Sequence, residues 1–248
     1  MNVPEGAKGA LAQDDALASL RRLRGRSRTR ARGGLLDEAI GTLTDLGFDV
    51  ARLAGPDDVI SKVLEIVPKG ATAAYQPCVV GRAIKLERTL RGKGRTVVAL
   101  PVDGDPFTQN GDWRGRLLGA QFGITGANAI IADTGTLVLV EDSGYGRAAS
   151  NVPPVHIALV AADSVVENLL DAAVVARGYA LLHLNQTGSS PRALPRYVSL
   201  ISGPSKTADI GHTLMRGMHG PRTVHVLIWD RPKAEGTDDD ALRAWVLA

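Results

Sequence analysis

Cysteine and aromatic residues are scarce in this chain. Its 248 residues include one cysteine, Cys78, and only 4% of them are aromatic. A single cysteine excludes a disulfide framework within the chain, and it cannot supply the four thiolates that an iron–sulfur cluster requires. We therefore expect a reducing compartment and place the protein in the cytoplasm.

Long apolar runs are missing as well. No run approaches the roughly 18 residues needed to cross a bilayer, and Arg21 and Arg22 lack the apolar stretch of an export signal. We therefore expect no membrane span. With 44% hydrophobic residues, the composition is typical of one large α/β domain built on alanine, valine, leucine and isoleucine.

Motifs for common cofactors and catalytic centres are absent or incomplete. The five histidines form neither an H-x-x-x-H nor an HExxH pair, no G-x-S-x-G elbow occurs, and Ser205 replaces the glycine that precedes a Walker lysine. GYGRAA, residues 144–149, has the spacing of a dinucleotide-binding loop, but the following SNVPP is not expected to open the helix that would hold a pyrophosphate. The sequence predicts no bound metal or redox cofactor.

Basic residues are concentrated in one stretch. Residues 21–32, which we call the N-terminal arginine segment, contain seven arginines and no acid, whereas acids outnumber bases by 26 to 22 elsewhere. No aromatic side chains alternate with the arginines, so the segment is predicted to be a solvated, flexible arm rather than a nucleic-acid interface. Removal of residues 1–32 is therefore expected to leave the fold intact.

Apolar runs alternate with helical patterns through most of the chain. ATAAY and TVVALPV, with a helical pattern between them, predict parallel strands joined by a crossover helix. Later runs predict strands covered on both faces: TLVLV, VHIALVA, YVSLIS and TVHVLIW. Helices are predicted over residues 163–177 and 205–219, and the final ALRAWVLA is predicted to dock as a terminal helix.

These patterns divide the chain into three parts. Residues 1–34 are predicted to form an N-terminal helix and a basic linker, because leucines at helical spacing precede the arginines. Residues 35–232 form the predicted α/β domain. Residues 233–248 form a polar C-terminal tail.

Two polar segments border the predicted strands. The first, ISGPSKT, places five candidate residues between a strand and the predicted helix: Ser202, Gly203, Ser205, Lys206 and Thr207. Its main-chain N–H groups and its lysine would suit an anion at a helix N-terminus, but the same residues are typical of a plain capped turn. Both interpretations stay open.

The second segment, DTGT, comes just before a strand. It contains Asp133, Thr134, Gly135 and Thr136, which form either an Asx-type turn or part of a site. If the segment before Thr136 turns back, or if the two strands are antiparallel, both segments lie at one end and line a pocket for a small anion. In that pocket Asp133 would address a hydroxyl of the ligand, and Arg147 is a candidate second cation.

Three longer segments occur in the order and spacing of a known family: GITGANAIIADTGTLVLVED, GRAASNVPPVHIALV and ISGPSKTADIGHTLMRGMHGPRTVHVLIWD. Over residues 110–230 the chain resembles the lactate-utilisation protein C family of LUD-domain proteins, with Asp133 where the family often has glutamate. The resemblance implies a three-layer α/β sandwich with a mostly parallel sheet, related to sugar-phosphate isomerases and coenzyme A transferases. It also implies a part in L-lactate oxidation beside two iron–sulfur partner proteins.

Three functions follow from these observations. The leading hypothesis is a non-redox component of a lactate-oxidising complex with a small-anion pocket. The main alternative is a stand-alone enzyme acting on a phosphorylated or coenzyme A-linked metabolite, with Asp133 as acid, base or nucleophile. A weaker alternative is a nucleic-acid-binding regulator that uses the N-terminal arginine segment.

Overall fold

The computed structural model describes residues 5–101, 112–187, 194–208, 214–230 and 238–247. Its helices are α1 (Glu5–Arg30), α2 (Leu36–Asp45), α3 (Pro56–Ile66), α4 (Val79–Ala83), α5 (Leu86–Gly92), α6 (Trp113–Leu118), α7 (Tyr145–Asn151), α8 (Leu169–Thr187) and α9 (Asp238–Val246). Its strands are β1 (Asp49–Leu53), β2 (Thr72–Tyr75), β3 (Thr96–Ala99), β4 (Phe122–Gly126), β5 (Ala129–Ile131), β6 (Thr136–Glu141), β7 (Val155–Ala161), β8 (Val165–Val166), β9 (Tyr197–Ile201), β10 (Lys206–Ala208), β11 (Leu214–Arg216) and β12 (Thr223–Trp229).

Six strands form the large sheet, in the order β1-β12-β7-β4-β2-β3. Every neighbouring pair in it is parallel. Ile157 and Leu159 of β7 pack with α3, α4 and α5 on one face, whereas Ala158 and Val160 pack with α2 on the other. Burial of both faces explains the unbroken apolar runs, and the predicted α/β class with a mostly parallel sheet is confirmed.

A second sheet of four strands, in the order β8-β5-β6-β9, was not foreseen. Strand β6 is antiparallel to both β5 and β9. One face of this small sheet packs onto the large sheet, and the other face packs against α1, α8 and α9. Strand β9 lies at the edge, and its Val198 and Leu200 are 47% and 50% exposed. The prediction that YVSLIS is covered on both faces is therefore wrong.

Residues 205–219 do not form the predicted helix over the part of the segment that the structure describes. Strands β10 and β11 pair antiparallel there, with Thr207 opposite Met215. The intervening residues 209–213, including His212, lie outside the described residues. Pairing between two short extended segments prevails over the helical spacing, so the cradle expected at a helix N-terminus is not formed at Lys206.

The N-terminal arginine segment belongs to the folded body. Residues up to Arg30 continue α1, and a π-type turn at Ala31–Leu35 leads into α2. Arg26 forms an ion pair of 2.8 Å with Asp171 of α8, and Arg30 pairs with Glu167. The expectation of a flexible arm is therefore corrected, and the predicted division at residue 34 falls within the turn.

Helix α1 is held in place mainly by apolar packing. Leu20 and Leu23 are buried beside α8 and α9, and a Cβ atom on Gly178 would lie 2.6 Å from the Cδ2 atom of Leu20. The hydroxyl of Ser27, on the same helix face, donates to the main-chain carbonyl of Val165. Removal of residues 1–32 would expose this contact, so it is expected to destabilise the fold.

The last described helix, α9, docks as the sequence predicts. Trp245 is 1% exposed, and its indole N–H donates to the carbonyl of Asp163 at 2.7 Å. The side-chain amide of Asn128 donates to the Val246 carbonyl at 2.8 Å, which ties α9 to the small sheet. Among the described helices, none has both the length and the apolar composition to cross a membrane.

Candidate functional site

The two polar segments singled out in the sequence lie side by side. Because β6 and β9 are antiparallel, with Leu137 opposite Ile201, the start of β6 adjoins the end of β9. The hydroxyl oxygens of Thr136 and Ser202 are 2.8 Å apart, and Thr134 donates to the Thr136 hydroxyl at 3.0 Å. We call these three side chains the hydroxyl cluster. Of the two arrangements that would bring the segments together, the antiparallel one is present.

The turn that carries the cluster rests on the end of α2. Gly135 adopts φ 58°, and a Cβ atom there would lie 2.8 Å from the main-chain carbonyl of Thr42, so glycine is required. The Thr42 hydroxyl in turn donates to the Ala132 carbonyl at 2.8 Å. Asp133 is exposed beside this turn, and its main-chain N–H donates to Glu167.

Lys206 also contacts the C-terminal end of α2. Its ammonium group donates to the carbonyl of Leu46, the C-cap of α2, at 2.9 Å. Gly203, with φ 112°, passes so close that a Cβ atom would lie 3.0 Å from that carbonyl. A cation at a helix C-terminus satisfies a free carbonyl and offsets the negative end of the helix dipole. Lys206 therefore has a structural partner within the protein.

Ser205 is held by the neighbouring loop. Its main-chain N–H donates to Pro221 at 2.9 Å, and its carbonyl accepts from the N–H of Gly217 at 2.9 Å. Its hydroxyl accepts from the N–H of His219 at 3.3 Å. The ISGPSKT segment thus forms a strand, a turn and a second strand, and the N–H of Ser205 is already used.

Arg147 lies at the other end of β6. Its guanidinium is 6.0 Å from the ring of Tyr197, which pairs with Glu141 at the far end of the β6–β9 ladder. The six residues of β6 span roughly 16 Å at the usual rise per residue. The structure therefore does not bring Arg147 to the hydroxyl cluster.

The GYGRAA loop binds a carboxylate of the protein itself. Helix α7 does begin at Tyr145, contrary to expectation, and the Glu141 carboxylate accepts the N–H groups of Gly146, at 2.8 Å, and Arg147. A Cβ atom on Gly146 would lie 3.1 Å from the Glu141 Oε2 atom. Burial raises the pKa of this carboxyl, although the N–H donors oppose the shift. The glycine spacing is thus explained by an internal carboxylate.

His156 is a core histidine. It is fully buried in β7, and its Nε2 atom lies 2.9 Å from the Thr125 hydroxyl. Its Nδ1 atom has no hydrogen-bond partner within the described part of the chain. Burial, with a smaller contribution from His225, lowers the pKa of the ring to about 3. The imidazole is therefore neutral at physiological pH.

A second candidate site, which the sequence reasoning missed, adjoins the carboxyl end of β2. The chain runs from β2 outward to β3 and then returns to β4 on the other side of β2. Ligands of open parallel sheets bind at such a reversal of strand order. A cavity of about 540 Å³ lies here, lined by Tyr75, Pro77, Gly81, Arg82, Lys85, Leu86, Glu87, Arg88 and Arg91. We call it the basic pocket.

Local packing shapes the floor of the basic pocket. A Cβ atom on Gly81 would lie 2.2 Å from the hydroxyl of Tyr75, so only glycine lets the ring approach. Burial raises the pKa of the Tyr75 hydroxyl. Cys78 caps α4 by accepting the N–H of Gly81 at 3.3 Å, and burial raises the pKa of its thiol to about 11. This cysteine is therefore a structural, unreactive thiol.

The rim of the basic pocket carries four cations at intervals of three residues. Arg91 is paired with Glu87 at 2.9 Å. Arg82, Lys85 and Arg88 are exposed and form no ion pair with any residue that the structure describes. The three-residue spacing of these cations is the signal that sequence reasoning could have used.

The architecture places the chain among α/β proteins, and the sequence comparison then defines its family. The LUD domain profile matches residues 36–229, and the chain therefore belongs to the LUD domain family. The crystal structure of a DUF162 family protein from Deinococcus radiodurans has a similar fold, with a TM-score of 0.50 at 19% identity, covering 80% of this chain and 98% of that one.

Curated relatives share a shorter region. Proteins named "Lactate utilization protein C" are 37% identical to this chain in Halalkalibacterium halodurans, 33% in Bacillus subtilis strain 168 and 31% in Geobacillus sp. strain WCH70, each over 113 residues. These alignments cover 45% of this chain and 44–46% of each relative. The chain thus matches less than half the length of these relatives.

Proposed function

We propose that this protein is a non-redox component of a lactate-utilisation system, where it binds a small anion beside iron–sulfur partner proteins. The observation that carries the proposal is the 113-residue similarity to proteins named "Lactate utilization protein C". Membership of the LUD domain family over residues 36–229 supports the same assignment.

The cysteine content supports the proposal that the partners, and not this chain, carry the electrons. Oxidation of L-lactate to pyruvate removes two electrons and two protons, so the system needs an electron acceptor. The chain has one cysteine, and that thiol caps a helix in the core. Because a cluster takes four thiolates, the electron carriers of the proposed system belong to the partners.

The proposed small-anion site is the hydroxyl cluster with Lys206. Thr134 donates to Thr136, and when Thr136 donates in turn to Ser202, the exposed Ser202 hydroxyl keeps its own proton for a carboxylate. Lys206 has three ammonium donors, of which the Leu46 carbonyl takes one, so charge and donors are left for an anion. The exposed Asp133 would accept a hydrogen bond from a ligand hydroxyl, such as that of lactate. Arg147 is left out of this site because it lies at the far end of β6.

Deletion of the gene from its native organism tests the assignment to lactate utilisation. The deletion strain is expected to stop growing on L-lactate as sole carbon source while growing normally on glucose. A copy of the wild-type gene in trans is expected to restore growth on L-lactate. Normal consumption of L-lactate by the deletion strain would contradict the assignment.

Calorimetry on the purified protein tests the small-anion site separately. Thr136→Val removes the hydroxyl that orients Ser202, at nearly constant volume. The variant is expected to bind L-lactate or pyruvate roughly 3- to 10-fold more weakly. Thr44→Val is the matched control, because among the described residues the Thr44 hydroxyl is bonded only to the Ile40 carbonyl within α2. Equal affinities of the two variants, or no binding of either acid by the wild type, would remove the hydroxyl cluster from the proposal.

The isolated chain is also expected to be colourless and to lack lactate dehydrogenase activity. Absorption spectra and an assay with an artificial electron acceptor measure both properties. A flavin or a cluster bound in stoichiometric amount to the purified chain would place redox chemistry in this protein and overturn the non-redox role.

A second candidate function is suggested by the basic pocket. A cavity with three unpaired cations at a reversal of strand order favours a phosphorylated or coenzyme A-linked metabolite as ligand. In that case the protein would be a stand-alone enzyme, but Asp133, the acid, base or nucleophile expected from the sequence, lies beside the hydroxyl cluster on the other face of the large sheet and is not placed to act on a ligand in this pocket. Turnover of a phosphorylated or coenzyme A-linked metabolite by the purified chain, abolished in Arg82→Gln/Arg88→Gln, would favour this function over the first.

A further inference from the structure

We propose that the basic pocket binds a phosphorylated small molecule whose phosphate is held by Arg82, Lys85 and Arg88. This site is separate from the hydroxyl cluster, because α4 and α5 cover one face of the large sheet while the small sheet covers the other. It therefore stands whether or not the protein acts on lactate.

Charge and pairing define the chemical class of the ligand. Among the described residues, Arg82, Lys85 and Arg88 have no carboxylate partner, whereas Arg91 pairs with Glu87 on the same rim. Three uncompensated cations around one cavity match a group with more than one negative charge. Guanidinium groups bind phosphate through two parallel hydrogen bonds, and lysine adds a point charge. A phosphate monoester fits this set better than a monocarboxylate does.

Size and the nonpolar wall define the rest of the ligand. A volume of about 540 Å³ falls within the range of small-molecule sites and exceeds what a phosphate ion needs. Tyr75, Pro77 and Leu86 line the same cavity and offer apolar surface. The ligand is therefore an organic phosphate with a ring or a short carbon skeleton packed against these side chains.

The backbone at Lys85 brings the cations together. Lys85 adopts φ 52° and ψ 40°, and it is the only residue other than glycine with a positive φ in the described part of the chain. This left-handed residue turns the chain between α4, which carries Arg82, and α5, which carries Arg88. Strained residues of this kind cluster at sites that hold ligands. Here the strain places three basic side chains around one cavity.

Phenyl phosphate and inorganic phosphate are suitable probes for isothermal titration calorimetry. The wild type is expected to bind phenyl phosphate more tightly than inorganic phosphate, because the apolar wall contacts only the former. The double variant Arg82→Gln/Arg88→Gln is expected to lose on the order of 100-fold in affinity for phenyl phosphate. The control Arg22→Gln/Arg28→Gln makes the same change in net charge on α1 and is expected to bind like the wild type.

Two further variants keep the test independent of misfolding. Lys85→Gly removes one cation but relieves the left-handed strain, so it is expected to bind phenyl phosphate roughly 10-fold more weakly without a lower melting temperature. Glu87→Gln removes the only acidic side chain that lines the cavity among described residues and is expected to tighten binding. Failure of the wild type to bind phenyl phosphate, or equal losses in the α4–α5 and α1 double variants, would overturn the proposal.

Discussion

The N-terminal arginine segment and the basic pocket are the two basic regions of this protein, and they use charge in opposite ways. The first holds seven arginines within twelve residues, yet Arg26 and Arg30 are paired with Asp171 and Glu167. The second is less dense in sequence, yet three of its cations face a cavity without an acidic partner among the described residues. Charge density along a sequence therefore marks a binding surface less well than unpaired charge around a concavity.

The largest expected effect concerns what holds the arginine segment in place. Leu20→Ala is predicted to lower the free energy of unfolding by about 2 to 5 kcal/mol, because Leu20 is fully buried against Gly178. Leu170→Ala on the outer face of α8, where Leu170 is 79% exposed, is the matched control and should change stability by less than about 0.5 kcal/mol. Urea denaturation measures both. Equal changes in stability would indicate that the N-terminal arginine segment is only loosely attached.

Unlike the cations of the two basic regions, His156 is a basic side chain that the fold keeps neutral. The pKa of His156 is lowered to about 3 in the fold, whereas the ring gains a proton near pH 6.5 when the chain unfolds. The contribution of His156 is therefore complete above pH 6.5 and is lost as the pH falls toward 3. The expected loss from this group is about 1.4 kcal/mol per pH unit in that window.

His156→Gln isolates this contribution, because glutamine does not titrate and can still bond the Thr125 hydroxyl. The difference in stability between wild type and variant is expected to shrink steadily from pH 6.5 to pH 4 in urea titrations. A difference that stays constant over this range would mean that the ring has the same pKa in the folded and the unfolded protein.

A smaller effect is expected at Lys206, whose ammonium group donates one hydrogen bond to the C-cap carbonyl of α2. Lys206→Met is predicted to lower the free energy of unfolding by about 0.5 to 1.5 kcal/mol, because the Leu46 carbonyl loses its donor. Lys93→Met, at an exposed position after α5, is the control and should be nearly neutral. If the two variants are equally stable, Lys206 does not cap α2 in solution, and its charge is wholly free for a ligand.

The smallest effect is expected at the ion pairs of the arginine segment. Arg26→Ala is predicted to change the free energy of unfolding by no more than about 1 kcal/mol, since the Arg26 side chain is 60% exposed. The change should shrink further in 1 M NaCl, where surface charges are screened. A clearly larger loss that falls in 1 M NaCl would show that charge, and not the leucine face, anchors α1.

The sequence predicted the large sheet because burial on both faces leaves a direct mark on it. Runs such as VHIALVA and TVHVLIW became β7 and β12 at the centre of the sheet, between two layers of helices. The contact between the DTGT and ISGPSKT segments was also foreseen, on the condition that their strands are antiparallel. That condition is met by the pairing of β6 with β9.

Other features depend on partners that are distant in sequence. The arginine segment was predicted to be mobile because its acidic partner Asp171 lies 145 residues further along the chain than Arg26. Residues 206–208 were predicted to begin a helix, but their conformation is decided by pairing with β11 and by the Leu46 carbonyl. The basic pocket requires α4 and α5 to meet at a left-handed lysine, which local propensity does not predict.

The contact between α1 and α8 can form only after a long stretch of the chain has been synthesised. Arg26 leaves the ribosome 145 residues before Asp171, which at about 5 to 20 residues per second is a wait of roughly 7 to 30 s. Throughout that interval the face of α1 that carries Leu20 has no α8 to cover it. The nascent chain is thus open to chaperones and proteases at its N-terminal helix until α8 emerges.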